Sequence, residues 1–305
     1  MNMFKKLVLS VVLSSVIIAG CAQTGAGAST NIVLLTGQFS EIDILMHMAA
    51  LLIEEHTDLN IVLHDSMNTV AAANTLVAGG VDLFVGYDGT MLTTLLGYDP
   101  SDVPPGELLF DFANQRGSEE RGLMLLGKFG FENTYALAIR QEFAEENDIQ
   151  TISDLVPFAT NMVFGAEHEF FDAEGTMRFV PFNAHYGFEW QDDLSMEMAL
   201  KFAAIESGQI DATMVYSTDG LNLRFGLAVL EDDLAFFPEY HASFQMRTTL
   251  FEEFAEAAPN LEEVLSLLTG RIDNYTMIRL NYAVDGEGRT PQAVAREFLE
   301  SIGLL

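Results

Sequence analysis

The chain has 305 residues, 49% of them hydrophobic, and carries 45 acidic against 14 basic side chains, a net charge of −31. A surface this acidic repels phosphate backbones and anionic headgroups, which excludes nucleic acid as a partner. A single cysteine excludes an intramolecular disulfide and a cysteine-based metal site.

Lys5 and Lys6 precede an apolar run, residues 7–18, that ends in Ala19-Gly20-Cys21. The run is too short to span a bilayer and has the layout of a secretory signal peptide, residues 1–20. Small residues ahead of the only cysteine resemble the site at which bacterial lipoproteins are cut, although Ile18 stands where that pattern usually has Leu. Cys21 is therefore expected to be the lipidated N-terminus, with residues 21–30, small and polar, as a flexible tether. Such an anchor would hold the body at the outer face of a bacterial cell membrane.

Residues 31–36 read as an apolar strand, and Gly37-Gln38-Phe39 turns it into a helix where Ile42, Leu45, Met46, Ala49, Leu52 and Ile53 recur at helical spacing. Ser40 with Asp43 has the spacing of a capping box. Residues 60–64 form a second strand, 68–78 a helix, 81–86 a third strand and 90–96 another helix. Residues 99–122, with Pro104, Pro105 and several charges, are expected to be a variable surface excursion. Strands at 123–127 and 134–140 follow, then a helix near Glu142, a strand at 162–166, helices near Met177 and at 196–207, and a strand at 212–216. After Pro238 the pattern is mainly helical, at 248–268, 273–281 and 291–302.

The alternation of strands and helices is that of a parallel sheet flanked by helices, and it occurs twice. It predicts an α/β, bilobed body in which the chain crosses near Asn133 and returns near Pro238. Residues 31–133 with 239–305 would form one lobe and 134–238 the other. Each lobe contains one copy of an echo: Gly79-Gly80-Val81-Asp82 leads to Tyr87, and Gly208-Gln209-Ile210-Asp211 leads to Tyr216. Each tyrosine ends a strand, and ligands of open α/β sheets bind outside the carboxyl ends of strands. Gly-x-Ile-Asp is also a common helix-to-strand turn, so the echo alone leaves chance similarity open.

No phosphate-binding loop, dinucleotide fingerprint or His-Glu-x-x-His occurs. His168 lies between Glu167 and Glu169, but neighbours on a strand point to opposite faces and do not converge on a metal. Neither a catalytic constellation nor a cofactor is expected. The tyrosines are more informative. Tyr135 follows Asn133-Thr134 at the first crossing and Tyr240 follows Pro238-Glu239 at the second, so four of eight tyrosines sit at strand ends or crossings. A quaternary ammonium has no N–H to donate and binds aromatic faces, each worth about 0.5–2 kcal/mol.

At these residues the chain resembles the extracellular substrate-binding proteins of osmoprotectant ABC importers, the glycine betaine, carnitine and choline family. The most specific stretches are Gly130-Phe131-Glu132-Asn133-Thr134-Tyr135-Ala136-Leu137, Tyr216-Ser217-Thr218-Asp219-Gly220, and Leu230-Glu231-Asp232-Asp233 through Phe236-Phe237-Pro238 to Tyr240. Leu280-Asn281-Tyr282-Ala283-Val284-Asp285-Gly286 and Ala295-Arg296-Glu297-Phe298-Leu299 add to it. The resemblance implies a periplasmic-binding-protein-like fold of type II, the Venus flytrap, with a hinge. It implies a ligand's ammonium head caged by Tyr87, Tyr135, Tyr216 and Tyr240, with Gln38, Thr90 and Asn133 as polar contacts. It further implies delivery of the solute to a membrane permease by a monomeric binding protein. The chain departs from the family's pattern at Leu221-Asn222-Leu223, which delays a base to Arg224, and at Glu239, where a second proline is common. A binder of another amine or amino acid, or a sensor that engages a protein, are the rival readings.

Overall fold

The computed structural model describes residues 30–37, 39–172, 177–197 and 200–305. The expected signal peptide, Cys21, all of the tether but Thr30, and Gln38 lie outside the described residues. The strands in chain order are β1 (Asn31–Leu35), β2 (Asn60–His64), β3 (Phe84–Tyr87), β4 (Leu123–Glu132), β5 (Tyr135–Arg140), β6 (Val163–Glu167), β7 (Asp192–Met196), β8 (Ala212–Tyr216), β9 (Leu227–Val229) and β10 (His241–Arg247).

β1 pairs in parallel with β2, and a parallel bridge between Leu34 and Leu83 joins β1 to the segment that enters β3. β10 lies antiparallel between β3 and β4, so the spatial order is β2-β1-β3-β10-β4. The second sheet runs β7-β6-β8-β5-β9. There β6 is parallel to β7 and β8, and β5 is antiparallel to β8 and β9. The two sheets repeat one pattern of parallel and antiparallel neighbours. Each receives its fourth strand, β10 or β5, at the point where the chain crosses from the other.

β3 and β8 are buried on both faces and accordingly read as unbroken apolar runs. Buried residues around the first sheet come from 32–131 and 242–299, those around the second from 136–237. The helix Ser40–His56, apolar on a broad stripe, packs under the first sheet with the C-terminal helices Asn274–Asp285 and Pro291–Ser301. Phe164, Phe170 and Phe182 are fully buried beneath the second, each contributing about 1.5–3 kcal/mol from apolar burial. The result is a bilobed α/β architecture.

Several elements differ from expectation. Beyond Pro238 the chain first forms β10, a central strand, where a mainly helical segment was expected; its alternation of His241, Ser243 and Gln245 with Ala242, Phe244 and Met246 is a period-two signal. The excursion at 99–122 contains a helix, Leu109–Arg121, anchored by buried Leu109, Phe110, Phe112 and Ala113. Its apolar residues crowd into the first turns, which hides the helical period. β4 continues to Glu132, through Gly130, with register shifts against β10. The expected helix at 248–268 divides into Leu250–Phe254 and Leu261–Ser266 around Pro259. Met196 ends β7, and the helix behind it is Lys201–Glu206. The capping box of Ser40 and Asp43 does not form: Phe39 is the N-cap, Asp43 Oδ1 accepts the Gly37 N–H at 2.7 Å, and Ser40 Oγ bonds the Asp285 carboxylate.

The echoed motif has the same job in both lobes. Gly79 and Gly208 both adopt φ +74°, the left-handed turn that ends a helix. Asp82 exchanges hydrogen bonds with Val33, accepting its N–H at 2.7 Å and donating its own at 2.8 Å. Asp211 does so with Val163 at 3.0 and 2.7 Å. An arginine at the end of the crossing strand then closes each corner: Arg247 reaches Asp82 Oδ1 and Arg140 reaches Asp211 Oδ1, both at 2.7 Å. Each arginine also donates to the backbone carbonyl just before the aspartate, Val81 or Ile210.

Candidate functional site

β3 ends in Tyr87 and β8 in Tyr216, and the crossing strands bring a partner ring to each. Tyr240, just before β10, stacks on Tyr87 with centroids 5.3 Å apart and planes at 25°. Tyr135, the first residue of β5, stacks on Tyr216 at 5.1 Å and 19°. Each lobe thus offers one tyrosine pair at the carboxyl end of its central parallel strand. Gly89 makes room for the first pair: a Cβ there would lie 2.2 Å from Cδ2 of Tyr240, so any larger residue would push the ring away. The Tyr240 hydroxyl is hydrogen-bonded to Thr90 Oγ1.

A cavity of about 550 Å³ opens between the lobes, lined by Tyr87, Tyr240, Tyr216, Thr90 and Asn133 among others. Its size is that of an ordinary small-molecule pocket. Five of the residues expected from sequence therefore line one cavity. Tyr135 does not line it; it stands behind Tyr216, against Phe170 and Phe237 at centroid distances of 5.9 and 6.1 Å.

Glu41, which sequence reasoning overlooked, forms the cavity's floor at 1% exposure. Its Oε1 accepts the Tyr87 hydroxyl at 2.5 Å and the Asn133 Nδ2 at 3.0 Å, and its Oε2 accepts Asn281 Nδ2 at 3.3 Å. Burial raises the Glu41 pKa above its ordinary value, against the lowering effect of hydrogen bonds from Thr218, Tyr87, Asn133 and Asn281. Burial and the neighbouring Glu41 charge also push the Tyr87 phenol far up, so it stays a neutral donor. The available signal was helical: Glu41 lies three, four and seven residues before Ile44, Leu45 and Met48, on the buried stripe of its helix. Asn281, also missed, spans the lobes by donating both to Glu41 and to the Thr218 carbonyl, the latter at 2.8 Å.

The crossings are tied together at the cavity's base. Ser217 Oγ donates to the Glu132 carbonyl at 2.7 Å and accepts the Thr134 N–H at 3.1 Å, while Asn133 N–H donates to the Tyr240 carbonyl at 3.0 Å. Gly220 seats the short helix Gly220–Arg224 directly on the backbone of Asn274–Asp285, where a Cβ would come within 2.5 Å of the Tyr282 nitrogen.

The charge of the cavity is one-sided. Glu41, Asp219 and Asp285 line it, and no Lys, Arg or His does among the described residues. Lys201 Nζ lies 5.9 Å from the centre of the Tyr216 ring, but its charge is matched by Glu167 at 3.2 Å, both groups being buried. Aromatic faces, hydroxyl and amide groups and a negative field together suit a ligand with a diffuse positive charge.

Residues 30–301 match the family described as the substrate binding domain of ABC-type glycine betaine transport systems. A curated relative, the ergothioneine transport permease/ergothioneine binding protein EgtU of Helicobacter pylori (strain G27), is 33% identical over 274 residues, 90% of this chain but 48% of that protein, so the chain spans about half its length. The carnitine transport binding protein OpuCC of Listeria monocytogenes is 30% identical over 292 residues, 94% of this chain and 92% of that one. A crystal structure of a glycine betaine/carnitine/choline ABC transporter superposes with a TM-score of 0.81 at 29% identity, covering 90% of this chain and 98% of the other.

Proposed function

Because the chain belongs to the family of substrate-binding domains of ABC-type glycine betaine transport systems, we propose that it captures a quaternary-ammonium solute between its lobes and delivers it to a membrane permease. The observation that carries this reading is the tyrosine wall around a cavity whose charged lining is entirely acidic among the described residues. Tyr87, Tyr240 and Tyr216 offer ring faces to the ammonium head. Tyr135 belongs to the same cage as the support of Tyr216, and Thr90, Asn133 and Gln38 supply polar contacts. The lobes would be residues 31–133 with 239–305, and residues 134–238, closing on the solute by rotation at the crossings. Lipidation at Cys21 would hold a monomeric body at the outer face of the membrane, where transported solutes are met.

Glycine betaine, choline and carnitine are the ligands of first choice. Ergothioneine, named for the Helicobacter relative, is a bulkier betaine that the cavity volume also admits. Calorimetric titration of the purified body with these four solutes tests the proposal. Saturable one-to-one binding of at least one, weakened in Tyr216→Ala, is expected. Silence toward all four, or an unchanged affinity in Tyr216→Ala, refutes the cage.

A further inference from the structure

Each tyrosine of the first pair is followed by a residue that does not line the cavity: Asp88 after Tyr87 and His241 after Tyr240. Asp88 is fully buried. Its Oδ1 accepts the N–H groups of Gly89 and His241 at 2.7 and 2.8 Å, while its Oδ2 has no partner among the described residues. A buried carboxylate oxygen with nothing to receive is unfavourable unless it takes up a proton or a cation stands opposite. Two further groups gather there. Asp88, Glu239 and His241 each place one ligand atom within 4.8 Å of the others. His241 Nε2 lies 3.3 Å from Glu239 Oε2 and 3.7 Å from Glu132 Oε1. Among the described residues the ammonium near the group, Lys128, sits over the Phe110 ring and comes no closer than 3.9 Å to Glu239, beyond hydrogen-bond range.

We propose that Asp88, Glu239 and His241, with Glu132 completing the set, bind a divalent transition-metal ion of the zinc or manganese class beside the Tyr87–Tyr240 pair. One imidazole with carboxylates is a donor set these ions accept, whereas magnesium and calcium prefer oxygen alone. Bonds of about 2.0–2.2 Å in a tetrahedral site place neighbouring ligand atoms about 3.3–3.6 Å apart, close to the His241 separations from Glu239 and Glu132. The buried Asp88 gives the site a fixed anchor. The half-exposed Glu239 and Glu132 give an ion its way in from solvent, and Lys128 moves outward as the ion takes over the compensation of Glu239. The ion would hold the two residues bonded directly to Tyr87 and Tyr240, so loading should also stiffen that pair.

The full-length protein, stripped with a chelator, is titrated calorimetrically with zinc chloride, then manganese chloride, with magnesium chloride as the control. One zinc or manganese ion per chain is expected, with affinity lowered at least about tenfold in Asp88→Asn and in His241→Gln and by less in the more exposed Glu239→Gln. Circular dichroism of each variant checks that the fold survives. Cobalt(II) loading should give the visible absorption of a low-symmetry nitrogen and oxygen site, and His241→Gln should abolish it, which a purely structural histidine would not explain. Absence of saturable zinc and manganese binding, or binding that survives all three substitutions, overturns the site.

Discussion

The two lobes answer the same structural question with the same residue types, and diverge in how deeply the corner is buried and in what faces the cavity. In both, a glycine turn, an aspartate clasping a parallel neighbour and an arginine from the crossing strand build the corner from which a tyrosine emerges. The corner in the first lobe is sealed, with Asp82 and Arg247 side chains 8% and 10% exposed; that in the second is more open, with Asp211 and Arg140 at 26% and 33%. Beyond the corner the tyrosines part company. Tyr87 is buried and fastened to Glu41, whereas Tyr216 is half-buried, braced from behind by Tyr135. The difference teaches that the repeated motif is a scaffold device, and that ligand chemistry resides in what each lobe adds to it.

The largest expected effect tests the scaffold itself. Asp82→Ala removes one of the two carboxylates that hold the buried Arg247 guanidinium and orphans the Val33 N–H, and should cost about 3 kcal/mol, since Glu253 still holds Arg247. Asp211→Ala, at the wetter corner, should cost about 1–3 kcal/mol. Urea unfolding of both variants reads the difference, and equal losses would show that burial does not set it.

Glu41 sharpens the contrast next, since no carboxylate fastens Tyr216 in a like manner among the described residues. At acidic pH the protonated Glu41 carries a single O–H and otherwise accepts, whereas Glu41→Gln brings two N–H groups against the converging donors and should cost about 1–3 kcal/mol there. The pH dependence has a definite sign. The folded-state pKa of Glu41 is raised above its ordinary value of 4.5. Its contribution to stability is therefore complete below pH 4.5 and is lost as pH rises through the folded-state value. The gap between wild type and Glu41→Gln should accordingly narrow from pH 4.5 upward in thermal melts, and a gap that widens contradicts the assignment.

The smallest effects concern the rings. Tyr216→Ala should weaken solute binding by about 0.5–2 kcal/mol, and Tyr135→Phe, which keeps the brace but drops the hydroxyl, by less than that. Titration with the best-bound solute ranks the two. A larger loss from Tyr135→Phe would mean that its hydroxyl meets the ligand, and that the lobes draw closer on binding than they stand here.

Much of this is legible in the sequence. The strand ends at Tyr87 and Tyr216 follow from unbroken apolar runs closed by polar turns, and the crossings from where the βα pattern restarts. β10 escaped because four consecutive helices follow it and its alternation spans only His241–Arg247. Glu41 escaped because an acidic residue in the first turn of a helix is ordinary in an acidic chain, and only the burial of its stripe sets it apart. The stacking of the tyrosines in pairs was beyond sequence altogether, since it depends on each crossing strand, β5 or β10, pairing beside the strand that ends in the partner tyrosine, β8 or β3.

The Ser217 hydroxyl, which links the Glu132 carbonyl to the Thr134 amide, carries a mechanical consequence. It rivets the end of β8 to the first crossing, so the residue beside it, Tyr216, sits near the axle of any rotation between the lobes rather than out on the rim. Displacement in a rotating body grows with distance from the axle. A swing wide enough to admit a solute at the mouth would move Tyr216 only slightly, leaving the aromatic wall assembled while the door stands ajar.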